Sequence, residues 1–160
     1  MAQPKLFLDC DGVLADFDAG VRLVLGGMTP AQYEERHSRR EFWKRLATTP
    51  DFYAGLPLMP DARALFDAVA HLRPTILTGL PIGNWAAPQK VAWAAEHFPG
   101  VPIITCLARD KYRYMEAGDV LVDDREQHRA KWEYAGGLFV AHKNAERSLA
   151  ALRTIFSSIA

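Results

Sequence analysis

Five compact apolar runs limit what this chain can fold into. They are Lys5-Leu6-Phe7-Leu8-Asp9, Pro74-Thr75-Ile76-Leu77-Thr78, Pro102-Ile103-Ile104-Thr105-Cys106, Asp119-Val120-Leu121-Val122-Asp123 and Gly137-Leu138-Phe139-Val140-Ala141. Their apolar stretches are continuous, which suits strands covered on both faces, as in a parallel sheet. Pro74 and Pro102 are tolerable at a strand start but not in its middle. Between the later runs, apolar residues recur at three and four: Ala64, Leu65, Ala68, Val69 and Leu72, then Val91, Ala94, Ala95 and Phe98, with Pro88 near a helix start. Asn144 is placed to cap a last helix that docks through Leu149, Leu152, Ile155 and Phe156. The pattern predicts an α/β fold.

One interval breaks the rhythm. About sixty residues separate the first run from the second, far more than one crossover helix requires. Asp18 to about Leu25 reads as a helix ended by Gly26-Gly27, Thr29 can cap a second helix from Pro30, and a third runs from Arg39 to about Leu46. Pro50, Gly55, Pro57 and Pro60 then return the chain. The expected organisation is a core of residues 1–16 and 59–160 with a small helical cap over 17–58. Ligands of parallel sheets bind beyond the carboxyl ends of the strands, and this insertion leaves from such an end.

The strand ends carry the chemistry. Asp9-Cys10-Asp11-Gly12 closes the first run, and a period of two lets Asp9 and Asp11 face one site while Cys10 turns away. Two neighbouring carboxylates repel, so a cation is a physical reason to place them together, and oxygen ligands suit magnesium. An acidic turn exposed to water is the plainer alternative. Asp123-Asp124 ends another run, so Asp9, Asp11 and Asp124 are expected to hold the ion, with Asp123 behind them. Thr78-Gly79 supplies a hydroxyl and a backbone N–H for phosphoryl oxygens, and Lys111 supplies positive charge. These parts fit Asp9 as nucleophile and Asp11 as acid, then base, in two half-reactions.

The stretches Asp9-Cys10-Asp11-Gly12-Val13-Leu14-Ala15-Asp16-Phe17, Thr78-Gly79, Lys111 and Asp123-Asp124 resemble, in order and spacing, the four motifs of the haloacid dehalogenase-like (HAD) superfamily. The resemblance implies a Rossmann-like core, a five-stranded parallel sheet of order 5-4-1-2-3, and a cap inserted between the first and second motifs. Arg40-Glu41-Phe42-Trp43, Asp51-Phe52-Tyr53, Gln89-Lys90-Val91-Ala92-Trp93 and Ala108-Arg109-Asp110-Lys111 are further similar to the 5'(3')-deoxyribonucleotidases. That likeness implies Phe17 and Trp43 at the base or sugar pocket, Lys90 near the phosphate and Arg109 at the substrate mouth. Phe17 and Trp43 serve equally well as contacts between cap and core. Thr78-Gly79-Leu80-Pro81 stands where those enzymes favour Thr-Ser-Pro, and the insertion is shorter than theirs.

The resemblance implies a magnesium-dependent phosphomonoester hydrolase acting through an aspartyl phosphate on a deoxyribonucleotide or related nucleoside monophosphate. A sugar-phosphate phosphatase, a phosphomutase and a non-catalytic HAD-fold binding protein are the alternatives. Lys+Arg and Asp+Glu both total 19, so the net charge is formally zero, which argues against a nucleic-acid polymer as partner. Neither a signal peptide nor an apolar span is visible, so the cytoplasm is the expected compartment, with a monomer or homodimer and no membrane partner. Cys10 and Cys106 form no metal-ligand pattern and read as small core residues.

Overall fold

The apolar runs become strands because helices cover both of their faces. In the computed structural model, which describes residues 2–160, β1 (Leu6–Leu8), β2 (Thr75–Gly79), β3 (Ile103–Cys106), β4 (Val120–Asp123) and β5 (Leu138–Ala141) form one sheet. Every pairing is parallel and the order is β3-β2-β1-β4-β5, which is 5-4-1-2-3 read from the other edge. Period two survives inside each run. Leu6, Leu8, Ile76, Val120 and Val122 belong to one apolar cluster, whereas Phe7, Leu77, Leu121 and Phe139 belong to a second on the opposite face.

Helices α4 (Ala62–Val69), α5 (Ala86–His97) and α7 (Ala145–Arg153) bury residues in the first cluster, and Trp132 of α6 (Arg129–Tyr134) packs into the second. Asn144 caps α7, its side chain accepting the Arg147 N–H at 2.9 Å. That helix stops at Arg153, so Ile155 and Phe156 follow it in a turn rather than lying within it. On α4 the buried stripe is Ala62, Leu65 and Val69, and Ala64 faces solvent.

The face of α5 also differs from expectation. Val91 is 46 % exposed and Ala95 is exposed, while Lys90, Trp93 and Ala94 are buried. The helix is rotated about its axis because two polar groups have inward partners. Trp93 Nε1 donates to the Leu56 carbonyl at 2.8 Å, and the Lys90 ammonium reaches the ends of β1 and β2.

Between β1 and α4 the chain forms three further helices: α1 (Phe17–Val24), α2 (Pro30–Arg36) and α3 (Arg39–Ala47). Each begins at a side-chain cap. Asp16 accepts from the Ala19 N–H, Thr29 forms a reciprocal capping box with Gln32, and Ser38 accepts from the Glu41 N–H. The outgoing and returning chains are zipped together. Ala15 bridges Leu58 in antiparallel fashion, the Asp16 N–H donates to the Pro57 carbonyl, and the Met59 N–H donates to the Leu14 carbonyl. Phe42, Leu46, Phe52 and Leu56 of the insertion lie in the same buried cluster as Leu8 and Trp93. Gly20 sits inside α1, where glycine is unfavourable, because a Cβ there would overlap the Leu56 side chain.

Trp93 therefore ties the core helix to the returning segment. Trp93→Ala is expected to lose about 3–5 kcal/mol of stability through the cavity and the orphaned Leu56 carbonyl. Urea denaturation checks this, and an unchanged midpoint would contradict it.

Candidate active site

The ends of β1 and β4 are locked in register before any side chain acts. The Asp9 N–H donates to the Val122 carbonyl at 2.9 Å, extending the ladder one residue beyond β1. The chain then turns sharply, with the Cys10 carbonyl accepting from the N–H groups of Val13, Leu14 and Ala15. Gly12 makes the turn possible. Its φ is +85°, and a Cβ there would overlap the Asp124 carboxylate. Register and turn together set Asp9 and Asp11 beside Asp123 and Asp124.

Two buried lysines enter from elsewhere. Lys111 lies on the 3₁₀ turn Ala108–Tyr114 that follows β3 and is 3 % exposed. Its Nζ donates to Asp9 Oδ1 and Asp123 Oδ2, both at 2.9 Å. Burial opposes the charge on Lys111, but the two carboxylates outweigh it and hold the ammonium above its ordinary value. Burial alone would raise Asp9, yet the Lys111 charge and hydrogen bond, with Lys90 behind them, hold it below the ordinary carboxylate range. Asp9 is thus a buried, ionised carboxylate.

Lys90 pairs with Asp11. Its Nζ donates to Asp11 Oδ2 at 2.8 Å, Thr78 Oγ1 at 2.8 Å and the Gly79 carbonyl at 2.9 Å, and it lies 4.5 Å from the Tyr53 ring centroid. An ammonium has three N–H bonds, and all are engaged, so none remains for a ligand. Thr78 is completely buried beneath this cluster, its hydroxyl oxygen turned to Lys90 rather than to open space. Gly79 and Lys111 line the cleft, and Lys111 has one N–H unengaged.

The carboxylates group differently from the expected set. Asp9, Asp123 and Asp124 offer oxygens within 4.8 Å of one another, whereas the Asp11 carboxylate is drawn aside by Lys90. Both Asp123 oxygens are already engaged, by Lys111 Nζ and by the Arg125 N–H. Asp124 Oδ1 is buried without a partner, as is Asp11 Oδ1. Burial, followed by the charge of Asp9, pushes Asp124 up to about 8 and Asp123 up to about 6. An oxygen-only group of mutually repelling acids, one oxygen of it orphaned, fits a hard divalent cation such as magnesium.

Above these acids opens a cleft of about 1180 Å³, walled by Phe17 and Trp43 of the insertion and by Tyr53 and Trp85. The Phe17 and Trp43 ring centroids are 6.2 Å apart, and Phe17 stacks on Tyr53 at 6.1 Å. Trp85 continues the wall at 5.3 Å from Tyr53. Phe17 and Trp43 thus line the cleft and also pack on their neighbours. The structure does not bring Arg109 to the cleft; it is exposed and outside the lining, where Arg125 stands instead. Tyr53, though within a stretch that resembles the nucleotidases, and Arg125 received no role from the sequence, because each needs the tertiary fold to reach the opening.

The comparisons with known proteins agree with this architecture. Residues 26–151 match the family model described as "5' nucleotidase, deoxy (Pyrimidine), cytosolic type C protein". The matched stretch holds Lys90, Lys111, Asp123 and Asp124 but begins after Asp9 and Asp11. No curated protein matches the chain. Among solved structures, L-2-haloacid dehalogenase from Xanthobacter autotrophicus is 17 % identical with a TM-score of 0.56, covering 99 % of this chain and 85 % of that one. A hydrolase from Streptococcus pneumoniae TIGR4 is 12 % identical with a TM-score of 0.51, covering 97 % and 98 %. These likenesses establish the haloacid dehalogenase-like fold.

The raised value of Asp124 has a measurable consequence. The folded state keeps a proton that the unfolded chain releases near 3.8, so Asp124 makes stability fall as pH rises from about 4 to about 8. Asp124→Asn, which cannot ionise, is expected to gain stability relative to the parent over that range. Thermal melting from pH 4 to pH 8 without added metal reads the difference, and parallel curves would refute the assignment.

Proposed function

Because the chain belongs to the family described as deoxy (pyrimidine) cytosolic type C 5' nucleotidase, we propose that it is a magnesium-dependent phosphomonoester hydrolase acting on a deoxyribonucleotide or related nucleoside monophosphate. The observation that carries the reading is Asp9: a carboxylate at the cleft floor, 6 % exposed yet kept ionised by a buried lysine. A nucleophile of this kind is available at neutral pH and has few competing hydrogen-bond donors.

In the first half-reaction, the Asp9 carboxylate attacks phosphorus and the bond to the ester oxygen breaks. Asp11 gives a proton to the departing alcohol. Its Oδ2 is tethered to Lys90, so the unpartnered Oδ1 is the oxygen placed to carry that proton. In the second, water attacks the acyl phosphate and Asp11 takes a proton back, releasing inorganic phosphate and restoring Asp9. Lys111 steadies the phosphoryl oxygens through its unengaged N–H. Asp9 and Asp124, with Asp123 behind them, would hold magnesium, which would supply positive charge to offset the carboxylates and the phosphoryl oxygens. Asp11, expected as a ligand through its side chain, is assigned here to proton transfer alone.

Phe17, Trp43, Tyr53 and Trp85 give the leaving group an apolar wall on which a nucleobase can stack. Thr78 orients Lys90 rather than touching the phosphate. The helices α1 to α3 act as the cap over the site, and the cytoplasm is the compartment in keeping with a family described as cytosolic. Among the described residues, no helix is long and apolar enough to cross a membrane.

Asp9→Asn is expected to lower phosphate release from p-nitrophenyl phosphate by more than about 10³-fold while circular dichroism stays unchanged. Retained activity would remove Asp9 as nucleophile. Chelation of divalent metal is expected to stop turnover, and added magnesium to restore it; full activity after chelation would contradict the metal role. Across a panel of phosphomonoesters, pyrimidine deoxynucleotides are expected to give the highest kcat/KM. A preference for sugar monophosphates would overturn the nucleotide assignment while leaving the mechanism standing.

A further inference from the structure

The neutral net charge conceals a segregation. Acids occupy the cleft floor and, as Asp16 and Asp18, its α1 side, while cations stand on the rest of the rim: Arg39, Arg40 and Lys44 on α3, with Arg125 and Lys143 on the core side. All five are exposed, and none forms an ion pair or a side-chain hydrogen bond among the described residues. Arg109, by contrast, belongs to no wall of the opening.

Lys44 suits the last turn of α3, but the two arginines on that helix do not suit their positions. Arg39 and Arg40 occupy the first two helical positions after the Ser38 cap, where the helix dipole disfavours positive charge. Arg40 and Lys44 are four apart, a spacing at which like charges repel. Only Glu41 in that turn offsets them. Trp43 shares the face and lines the same cleft, so an aromatic plane and a pair of cations adjoin on one surface. Local unfavourable choices concentrated at a cleft wall are expected where a ligand supplies the missing counter-charge. The floor, with its own acids, accounts for the transferring phosphoryl group alone and gives no reason for cations on the far wall.

On the basis of the phosphatase reading above, we propose that the preferred substrate carries a second phosphate, seated against Arg40 and Lys44 of the insertion, while the first reacts at Asp9. The class is a nucleoside bisphosphate: the base stacks along Trp43, one phosphate meets the acidic floor, and the other neutralises the rim. The second group is bound and not transferred, so it raises affinity and orients the leaving group without altering the bonds that break.

The test compares a deoxynucleoside 5'-monophosphate with the corresponding 3',5'-bisphosphate. The parent protein is expected to favour the bisphosphate in kcat/KM by about tenfold, as two or three partly shielded charge contacts allow. In Arg40→Gln/Lys44→Gln the ratio is expected to fall to near one, and in the charge-preserving Arg40→Lys/Lys44→Arg to persist. Because the ratio is taken within each protein, a loss of folded fraction does not move it. Equal rates for the pair in the parent, or a preference that survives the double glutamine change, would overturn the proposal. If neither compound is hydrolysed, the phosphatase reading falls. Calorimetric titration of the same pair without metal then judges the rim alone. Tighter bisphosphate binding that disappears in the glutamine variant upholds it, and equal affinities refute it.

Discussion

A single ammonium group holds this site together. Lys111 joins the end of β1 to the end of β4 from a turn that follows β3, so one side chain ties three strands at their carboxyl ends. The backbone register already forces Asp9 and Asp123 together, and neither is more than 6 % exposed. Without the lysine the fold would bury two like charges with nothing between them, an arrangement that costs several kcal/mol. Lys90 repeats the device one layer away with Asp11, Thr78 and the Gly79 carbonyl. The two lysines thus divide the paired acids of the first loop, leaving one ionised at the floor and fixing the other by a single oxygen.

The strands were legible because each is a short apolar run bounded by turns or helical stretches, and the parallel sheet follows from continuous hydrophobicity. The caps at Thr29, Ser38 and Asn144 obey side-chain chemistry that any sequence displays, although only Thr29 and Asn144 were singled out. The inward face of α5 was not legible. Lysine is assigned to solvent by residue type, and only the tertiary arrangement reveals that Lys90 has three buried oxygens to meet. The same blindness affects Arg109 and Arg125, two exposed arginines near motif residues. Position in the chain favours neither, yet only Arg125 lines the cleft.

The carboxylates show the limit from another side. A period of two predicts that Asp9 and Asp11 face one side, but the chain turns at Cys10, and periodicity cannot say which acid a lysine will claim. Once Lys90 takes Asp11, Asp123 becomes the third member of the close group and Asp124 retains the oxygen in need of a partner. Family membership and geometry meet here from different parts of the chain. The matched stretch supplies Lys111 and the Asp123-Asp124 pair, and the β1–β4 register brings in Asp9 from outside it.

The shared apolar cluster constrains how molecules exchange with the site. Phe42 and Leu46 of α3, together with Phe52 and Leu56, are interred with side chains of the central sheet and α5. Swinging the insertion outward would hydrate whatever part of this cluster it shares with the core, such as Leu56, whose carbonyl also holds Trp93, at about 1.5–3 kcal/mol for each fully buried large side chain. That cost weighs against a wide opening and favours small adjustments at the rim. A site organised in this way would owe more of its selectivity to the shape of its doorway the less the insertion moves.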